Sequence, residues 1–291
     1  MSVRLGLVGA GSWGRNYLRT ASASGLHVSC VCRATSVPVD GFTEVPVTDD
    51  VGQLLRACDA VVVATPPASH ESVVMRAIDA GKPVLLEKPA ALSHTATDRI
   101  LSAADAHGVP LLVGHIHLFH PRFSLLRDRV LGREGPTKVL STAGNRGPFR
   151  DYPSLWDWGP HDVSMCLSLF ERGPDDVEAV RHDDGDGTVD VLTLGFGSSR
   201  AVLRFGNGMD RKIRRFEAAR AGETFVYDDS PGSVDMDPPP LRVMLESFMS
   251  VIGGGARDWR WDPRLPLETA RVLDLAEHVT STRTDRFRLP P

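Results

Sequence analysis

The feature that most constrains this chain is an apolar run that ends in glycines. Val3-Arg4-Leu5-Gly6-Leu7-Val8 reads as a strand from its Val and Leu content. It passes directly into Gly9-Ala10-Gly11-Ser12-Trp13-Gly14, and Ser12 to Ala23 has helical character. A strand, a G-x-G-x-x-G turn and a helix, in that order, offer the free N–H groups of a helix N-terminus to a pyrophosphate. Gly9 allows the tight turn, Gly11 has no side chain to hold a pyrophosphate off the backbone, and Gly14 lets helix and strand pack closely. Gly9, Gly11, Ser12, Trp13 and Gly14 are therefore candidates for cofactor binding. A glycine-rich turn without a ligand is the alternative.

The alternation continues. His27 to Cys32, Glu44 to Val47, Ala60 to Ala64, Pro83 to Glu87 and Leu111 to Gly114 read as strands. Helical runs lie between them: from Asp49, as N-cap, through Arg56; Ser69 to Ala80, closed by Gly81; and Ser93 to His107, closed by Gly108. Apolar strands separated by helices predict a parallel sheet in a doubly wound domain. After Pro121 the pattern changes. Helices are predicted over Arg122 to Leu131 and Leu155 to Phe170, with a strand at Thr137 to Ala143 between them. Strands follow at Val189 to Phe196, Arg200 to Phe205, Arg214 to Ala219 and Thr224 to Tyr227, and helices near Leu241 to Ile252 and Leu267 to Ser281 close the chain. Gly197-Ser198-Ser199 between two of these strands is a hairpin signal. The expected fold is α/β: an N-terminal Rossmann domain over residues 1–120, then a C-terminal α+β domain with an open, mostly antiparallel sheet over 121–291. A length of 291 residues suits two domains at roughly 150 residues each.

Composition narrows the partners. The chain is 42% hydrophobic with a net charge of −4, which excludes a disordered chain and any global basic field for nucleic acid or an anionic membrane. No apolar run approaches the ~20 residues of a membrane span, and the first residues lack the apolar core of a signal peptide. Cys30, Cys32, Cys58 and Cys166 match neither a zinc-site nor a disulfide spacing, so a reduced, cytoplasmic chain is expected. Asp183 to Gly187 resembles a calcium loop but lacks the later glutamate, and no metal is expected.

An acid about 20 residues beyond the glycines would bond the ribose of NAD. At that place stands Arg33, with Thr35 and Ser36 close behind. An arginine pairs bidentately with a 2′-phosphate, so NADP is expected and NAD remains possible. Lys88 follows a buried strand at the carboxyl edge of the sheet, where such folds bind ligands and where a cation stabilises a developing alkoxide. Asp157 and His161 stand four apart on a predicted helix and share one face. The histidine exchanges a proton near neutral pH while the aspartate orients it; a buried, satisfied histidine is the alternative.

Asp59 to Thr65 with Pro66-Pro67-Ala68-Ser69-His70, then Glu87-Lys88-Pro89, resemble the Gfo/Idh/MocA oxidoreductases. The resemblance implies cofactor contacts from Thr65, Pro66, His70, Glu87 and Lys88, with the lysine reaching both nicotinamide and substrate oxygen. Gly114-His115-Ile116-His117-Leu118-Phe119-His120-Pro121 is similar to a family segment that follows the sixth strand, which implies His115 and His117 at the substrate. Three histidines invite a metal reading, but they carry no fixed ligand geometry. Asn145-Arg146-Gly147-Pro148-Phe149-Arg150 and Leu155-Trp156-Asp157-Trp158-Gly159-Pro160-His161-Asp162 resemble the branch acting on nucleotide sugars. This implies Lys88, His161 and Asp157 as catalytic residues and Trp158 and His161 at the substrate, with Arg146 and Arg150 for its phosphates. Ser164 stands where the family often has an acid, and the stretch from Arg33 to Glu44 is short for the usual second Rossmann helix. The resemblance covers residues 3 to 170 and is general beyond them.

The expectation is an NADP(H)-dependent enzyme moving hydride to or from a sugar carbon, of a nucleotide-linked sugar. The rivals are a polyol dehydrogenase, an imine reductase on a non-sugar substrate, and a non-catalytic NADP-binding redox sensor. Val189 and Val191 on one face of a strand, with Leu192, Leu194 and Phe196 alternating, put apolar residues on both faces, so a homodimer or homotetramer is expected.

Overall fold

A computed structural model describes residues 3–33, 41–183, 185–233, 237–282 and 286–288. The chain forms two compact units, one made of Met1–Ile116 with Pro238–Pro263, the other of His117–Asp237 with Arg264–Pro291.

In the first unit the order is β1 (Arg4–Val8), α1 (Ser12–Ala23), β2 (His27–Cys32), β3 (Val47–Thr48), α2 (Val51–Ala57), β4 (Ala60–Val63), α3 (His70–Asp79), β5 (Val84–Glu87), α4 (His94–Ala106) and β6 (Leu111–Gly114). The strands are parallel in the order β3-β2-β1-β4-β5-β6, the doubly wound Rossmann arrangement. Ala60 to Val63 and Val84 to Leu86 are fully enclosed, because helices cover both faces of a parallel sheet. The sheet reverses order at β1 and β4, and the turns after β1, β4 and β5 carry the candidate residues.

Two local expectations shift. The third strand is Val47–Thr48 rather than Glu44 to Val47: Pro46 has no N–H for a ladder, although its carbonyl accepts from Val31 N at 2.9 Å. The cap of α2 is Asp50, not Asp49; its carboxylate accepts from Gly52 N at 2.8 Å and Gln53 N at 3.2 Å.

The second unit contains α5 (Pro121–Leu131), β7 (Thr137–Arg146), α6 (Ser154–Phe170), β8 (Asp176–Asp183), β9 (Thr188–Phe196), β10 (Ser199–Gly206), β11 (Gly208–Arg220) and β12 (Glu223–Asp228). Next along the chain comes α7 (Pro240–Ile252), which belongs to the first unit; α8 (Arg264–Thr282) and β13 (Arg286–Arg288) complete the second. This division by contact is not a single cut in the sequence. The chain returns to the Rossmann unit, where α7 packs on α1, buries Leu241, Met244, Leu245 and Phe248, and stacks Phe248 on Trp261.

The second sheet has the order β12-β11-β7-β10-β9-β8-β13, with β7 and β10 parallel and the other neighbours antiparallel. β8 and β13 had no clear sequence signal, since their residues are largely charged. Helices α6 and α8 pack together and against the sheet. On its outward face Leu140, Val180 and Val226 are exposed within this chain. Val191 is half-buried there, whereas Leu192, Leu194 and Phe196 are buried. Among the described residues no helix is long and apolar enough to cross a membrane.

Candidate active site

The G-x-G-x-x-G turn separates its glycines by what surrounds them. Gly9 has φ +97°, and a Cβ there would lie 2.6 Å from the Ala64 carbonyl oxygen. A Cβ on Gly14 would lie 2.0 Å from the Gly9 carbonyl oxygen. Both positions are set by the crossing of backbone over backbone. A Cβ on Gly11 would meet nothing within 4 Å. Among the described residues nothing requires glycine at that position, and the open space lies at the start of α1. Arg15 N donates to Gly11 O at 3.0 Å as the first helical bond, so the N–H groups of Ser12, Trp13 and Gly14 precede the ladder. Free donors with clear space above them fit the pyrophosphate of a dinucleotide.

Glu87 ends β5 with 5% exposure. Its Oε1 accepts from Trp13 Nε1 and from the Tyr17 hydroxyl at 2.5 Å, and its Oε2 from the Lys88 backbone N–H at 3.1 Å. Burial pushes its carboxyl above the usual range, and the Tyr17 and Trp13 bonds oppose that shift. The resemblance implied that Glu87 touches the cofactor. In the structure it braces the opening turns of α1 against the end of β5 and fixes the backbone that carries half-buried Lys88. Trp13 spends its indole N–H on this brace. Tyr17, one turn beyond Trp13 on the same helix face, went unnoticed in the sequence.

His70 joins two of the turns that carry candidate residues. It is fully buried, with Nδ1 2.9 Å from Pro89 O and Nε2 2.8 Å from Thr65 O. Both ring nitrogens face backbone, and burial lowers its pKa. The ring ties the turn after β4, where Thr65 is half-buried and Pro66 exposed, to the turn after Lys88. Arg33 is half-buried at the end of β2, with its N–H donating to Thr48 O at 3.0 Å. Thr35 and Ser36 lie outside the described residues. His115, implied at the substrate, is buried at the end of β6.

In the second unit α6 carries Asp157, Trp158 and His161. Asp157 is buried; its Oδ2 accepts from Arg150 Nε at 3.4 Å, and it helps push the neighbouring Tyr152 phenol up to about 12, burial being the larger cause. His161 is half-buried, and its ring meets that of His117 edge-on with centroids 4.7 Å apart. His117 Nδ1 lies 2.8 Å from the Tyr227 hydroxyl. His120 has a capping role: its Nδ1 accepts from Arg122 N at 3.2 Å at the start of α5. The three histidines near Pro121 thus stand in three different settings. Among the described residues no group of three His, Cys, Asp or Glu side chains is arranged to hold a metal ion.

Asp162, next to His161, is fully buried and was not singled out in the sequence as a site residue. Its Oδ1 accepts from Ser141 Oγ at 2.5 Å and its Oδ2 from Arg214 Nη1 at 2.7 Å, pinning α6 to β7 and β11. Trp158 is half-buried, with the Arg214 guanidinium 6.0 Å from its ring centre. Arg146 belongs to β7 rather than to a loop and bonds Asp186 at 3.1 Å. Both arginines implied for substrate phosphates therefore have carboxylate partners. Ser164 is buried and returns its hydroxyl to His161 O at 3.0 Å.

Residues 3–115 match the family model described as "Oxidoreductase family, NAD-binding Rossmann fold". The UDP-N-acetylglucosamine 3-dehydrogenase of Acidithiobacillus ferrooxidans is 29% identical over 265 residues, 88% of this chain and 82% of that protein. The inositol 2-dehydrogenase of Acidothermus cellulolyticus is 31% identical over 62% of this chain and 57% of its own length. A Magnetospirillum magnetotacticum protein classed as an oxidoreductase has a crystal structure that superposes with a TM-score of 0.82 at 34% identity, covering 94% of this chain and 99% of that one.

Proposed function

This chain belongs to the Gfo/Idh/MocA family of NAD(P)-binding oxidoreductases acting on CH–OH groups, and from that premise we propose that it moves hydride between NADP(H) and a sugar carbon of a nucleotide-linked sugar. The observation that carries the reading is the Glu87 brace. A buried carboxylate, held by two side chains of the helix that opens the glycine turn, fixes the backbone of Lys88 beside that turn.

Gly9, Gly11, Gly14 and the first N–H groups of α1 hold the pyrophosphate, and Arg33 favours a 2′-phosphate over a bare ribose. The bound nicotinamide supplies the acceptor or donor of hydride. In the oxidative direction His161 takes the proton of the substrate hydroxyl, Asp157 orients it, and the Lys88 ammonium stabilises the oxygen as charge builds on it. In reduction the same groups return the proton. The nucleotide-linked substrate is supported by the Acidithiobacillus relative, whose alignment spans 88% of this chain. Two or four copies associating through the outward face of the second sheet would cover Leu140, Val180 and Val226.

A second reading, a free polyol, is favoured by one observation: Arg146 and Arg150 are already paired with Asp186 and Asp157, which leaves less charge for phosphate. The test is a turnover screen of nucleotide sugars, free polyols and imines with both cofactors. Turnover with nucleotide sugars, lost on Lys88→Ala or His161→Ala while NADPH still binds, supports the proposal. Oxidation of polyols alone moves the assignment to the second reading. Tight NADPH binding without turnover of any substrate makes the chain a sensor.

A further inference from the structure

The second unit places a tyrosine behind the candidate base at one remove. We propose that Tyr227 and His117 are positioning residues for His161: the Tyr227 hydroxyl holds His117 in its neutral form, and the neutral ring beside His161 sets how readily His161 accepts a proton. The proposal rests on His161 being the base.

Three contacts carry it. Tyr227 is fully buried at the end of β12, and its hydroxyl lies 2.8 Å from His117 Nδ1. The His117 ring stands edge-on to His161 with centroids 4.7 Å apart and planes at 83°. The His120 ring packs on the other side of Tyr227, centroids 4.8 Å apart, with its own Nδ1 committed to the backbone of α5.

The direction of the Tyr227 bond follows from donor counting. Burial, with Asp229 adding to it, keeps the phenol protonated far above neutral pH. A buried O–H must donate, and the acceptor within reach is His117 Nδ1. A nitrogen that accepts carries no proton, so the hydrogen of neutral His117 sits on Nε2. Charging His117 would require that bond to break or reverse. Among the charged neighbours, Asp162 forms a buried pair with Arg214 and Asp157 pairs with Arg150, while Asp229 raises and Arg122 lowers the Tyr227 pKa. Burial lowers the pKa of His120, and Asp229, 3.9 Å from its Nε2, opposes that shift.

The consequence concerns the step in which His161 gains a proton. A second imidazolium 4.7 Å away would oppose it. For half-buried rings, after solvent screening, that opposition is on the order of one to two pH units in the apparent pKa. The Tyr227 bond removes it by keeping His117 uncharged over the working range. Tyr227 and His117 are separated by 110 positions, and the His117 ring meets that of His161 directly.

The experiment is the pH profile of kcat and KM in the oxidative direction for four proteins: wild type, Tyr227→Phe, His117→Gln and the double variant. Tyr227→Phe deletes one oxygen, and with it the donor that keeps a proton off His117 Nδ1. Its acid limb is expected to steepen and shift, because both rings must then be uncharged for full rate, with kcat below that limb reduced about tenfold and cofactor KM unchanged. Glutamine cannot charge, so the double variant is expected to return the limb to its wild-type place. A Tyr227→Phe profile that superposes on wild type overturns the proposal, as does a double variant that keeps the shifted limb. Histidine-selective nitrogen NMR of the unmodified protein gives a readout independent of variant folding. His117 Nδ1 is expected to stay unprotonated through the acid limb, and protonation of that nitrogen at a pH above the limb overturns the proposal. His161→Asn separates the two levels: if it leaves rate and acid limb intact, the base assignment fails, whatever His117 does.

Discussion

Alanine at Gly11 and alanine at Gly14 should fail in opposite ways, because the two glycines answer to different neighbours. A methyl group on Gly14 would be placed 2.0 Å from the Gly9 carbonyl oxygen, more than 1 Å inside a normal carbon–oxygen contact of ~3.2 Å. Neither side yields cheaply, since the obstacle is backbone and Gly9 is itself held by its N–H to Cys32 O at 2.8 Å. The expected loss is at least ~3 kcal/mol of stability, in the range of severe overpacking. A methyl on Gly11 enters open space. Gly11 is the N-cap of α1, with φ −68° and ψ −166°, a conformation alanine adopts freely. Its stability cost is therefore the poorer capping of alanine, below about 1 kcal/mol. The methyl does occupy the space above the free N–H groups, so NADPH affinity should fall at least ~10-fold, about 1.4 kcal/mol. Thermal melts without ligand and a fluorescence titration with NADPH measure the two effects. Gly11→Ala with intact affinity, or with a stability loss as large as that of Gly14→Ala, would refute the placement of the pyrophosphate at this turn.

Arg33→Ala should weaken NADPH at least ~10-fold and leave NADH nearly unchanged, read by parallel titrations; equal losses for both cofactors would remove the case for a 2′-phosphate contact. Asp162→Asn should cost about 3–5 kcal/mol in urea unfolding, because it strands the buried Arg214 guanidinium; a loss below ~1 kcal/mol would mean the pair does not hold α6. His70 has its folded pKa depressed by burial, so between ~6.5 and that lower value the unfolded chain binds the proton first. Its contribution to stability is therefore full above ~6.5 and declines as pH falls below it, and His70→Gln should flatten the dependence of urea midpoints on pH in that window. Identical slopes for variant and wild type would assign the acid sensitivity to other groups.

What consecutive residues could say concerned local geometry. The period of apolar residues marked six strands of the Rossmann unit, and turn chemistry marked the glycine loop, because both depend on neighbours within a few positions. The same locality put Asp157 and His161 on one helix face and Lys88 at a strand end. Small errors arose where a neighbour's hydrogen bonding decided the boundary, as with Pro46 before β3 and Asp50 at α2.

Long-range pairing was decided only by the tertiary structure. Glu87 meets Trp13 and Tyr17 across separations of 74 and 70 residues, a brace that no local pattern announces. Asp162 finds Arg214 at a separation of 52. Such carboxylates look in sequence like any acid on a helix or strand end; burial, which forces them to find donors, exists only in the folded chain. The return of α7 to the first unit is of the same kind. Its apolar stripe marked a buried face, but the stripe is equally apolar against any partner, and the choice of α1 came from how the chain closes on itself.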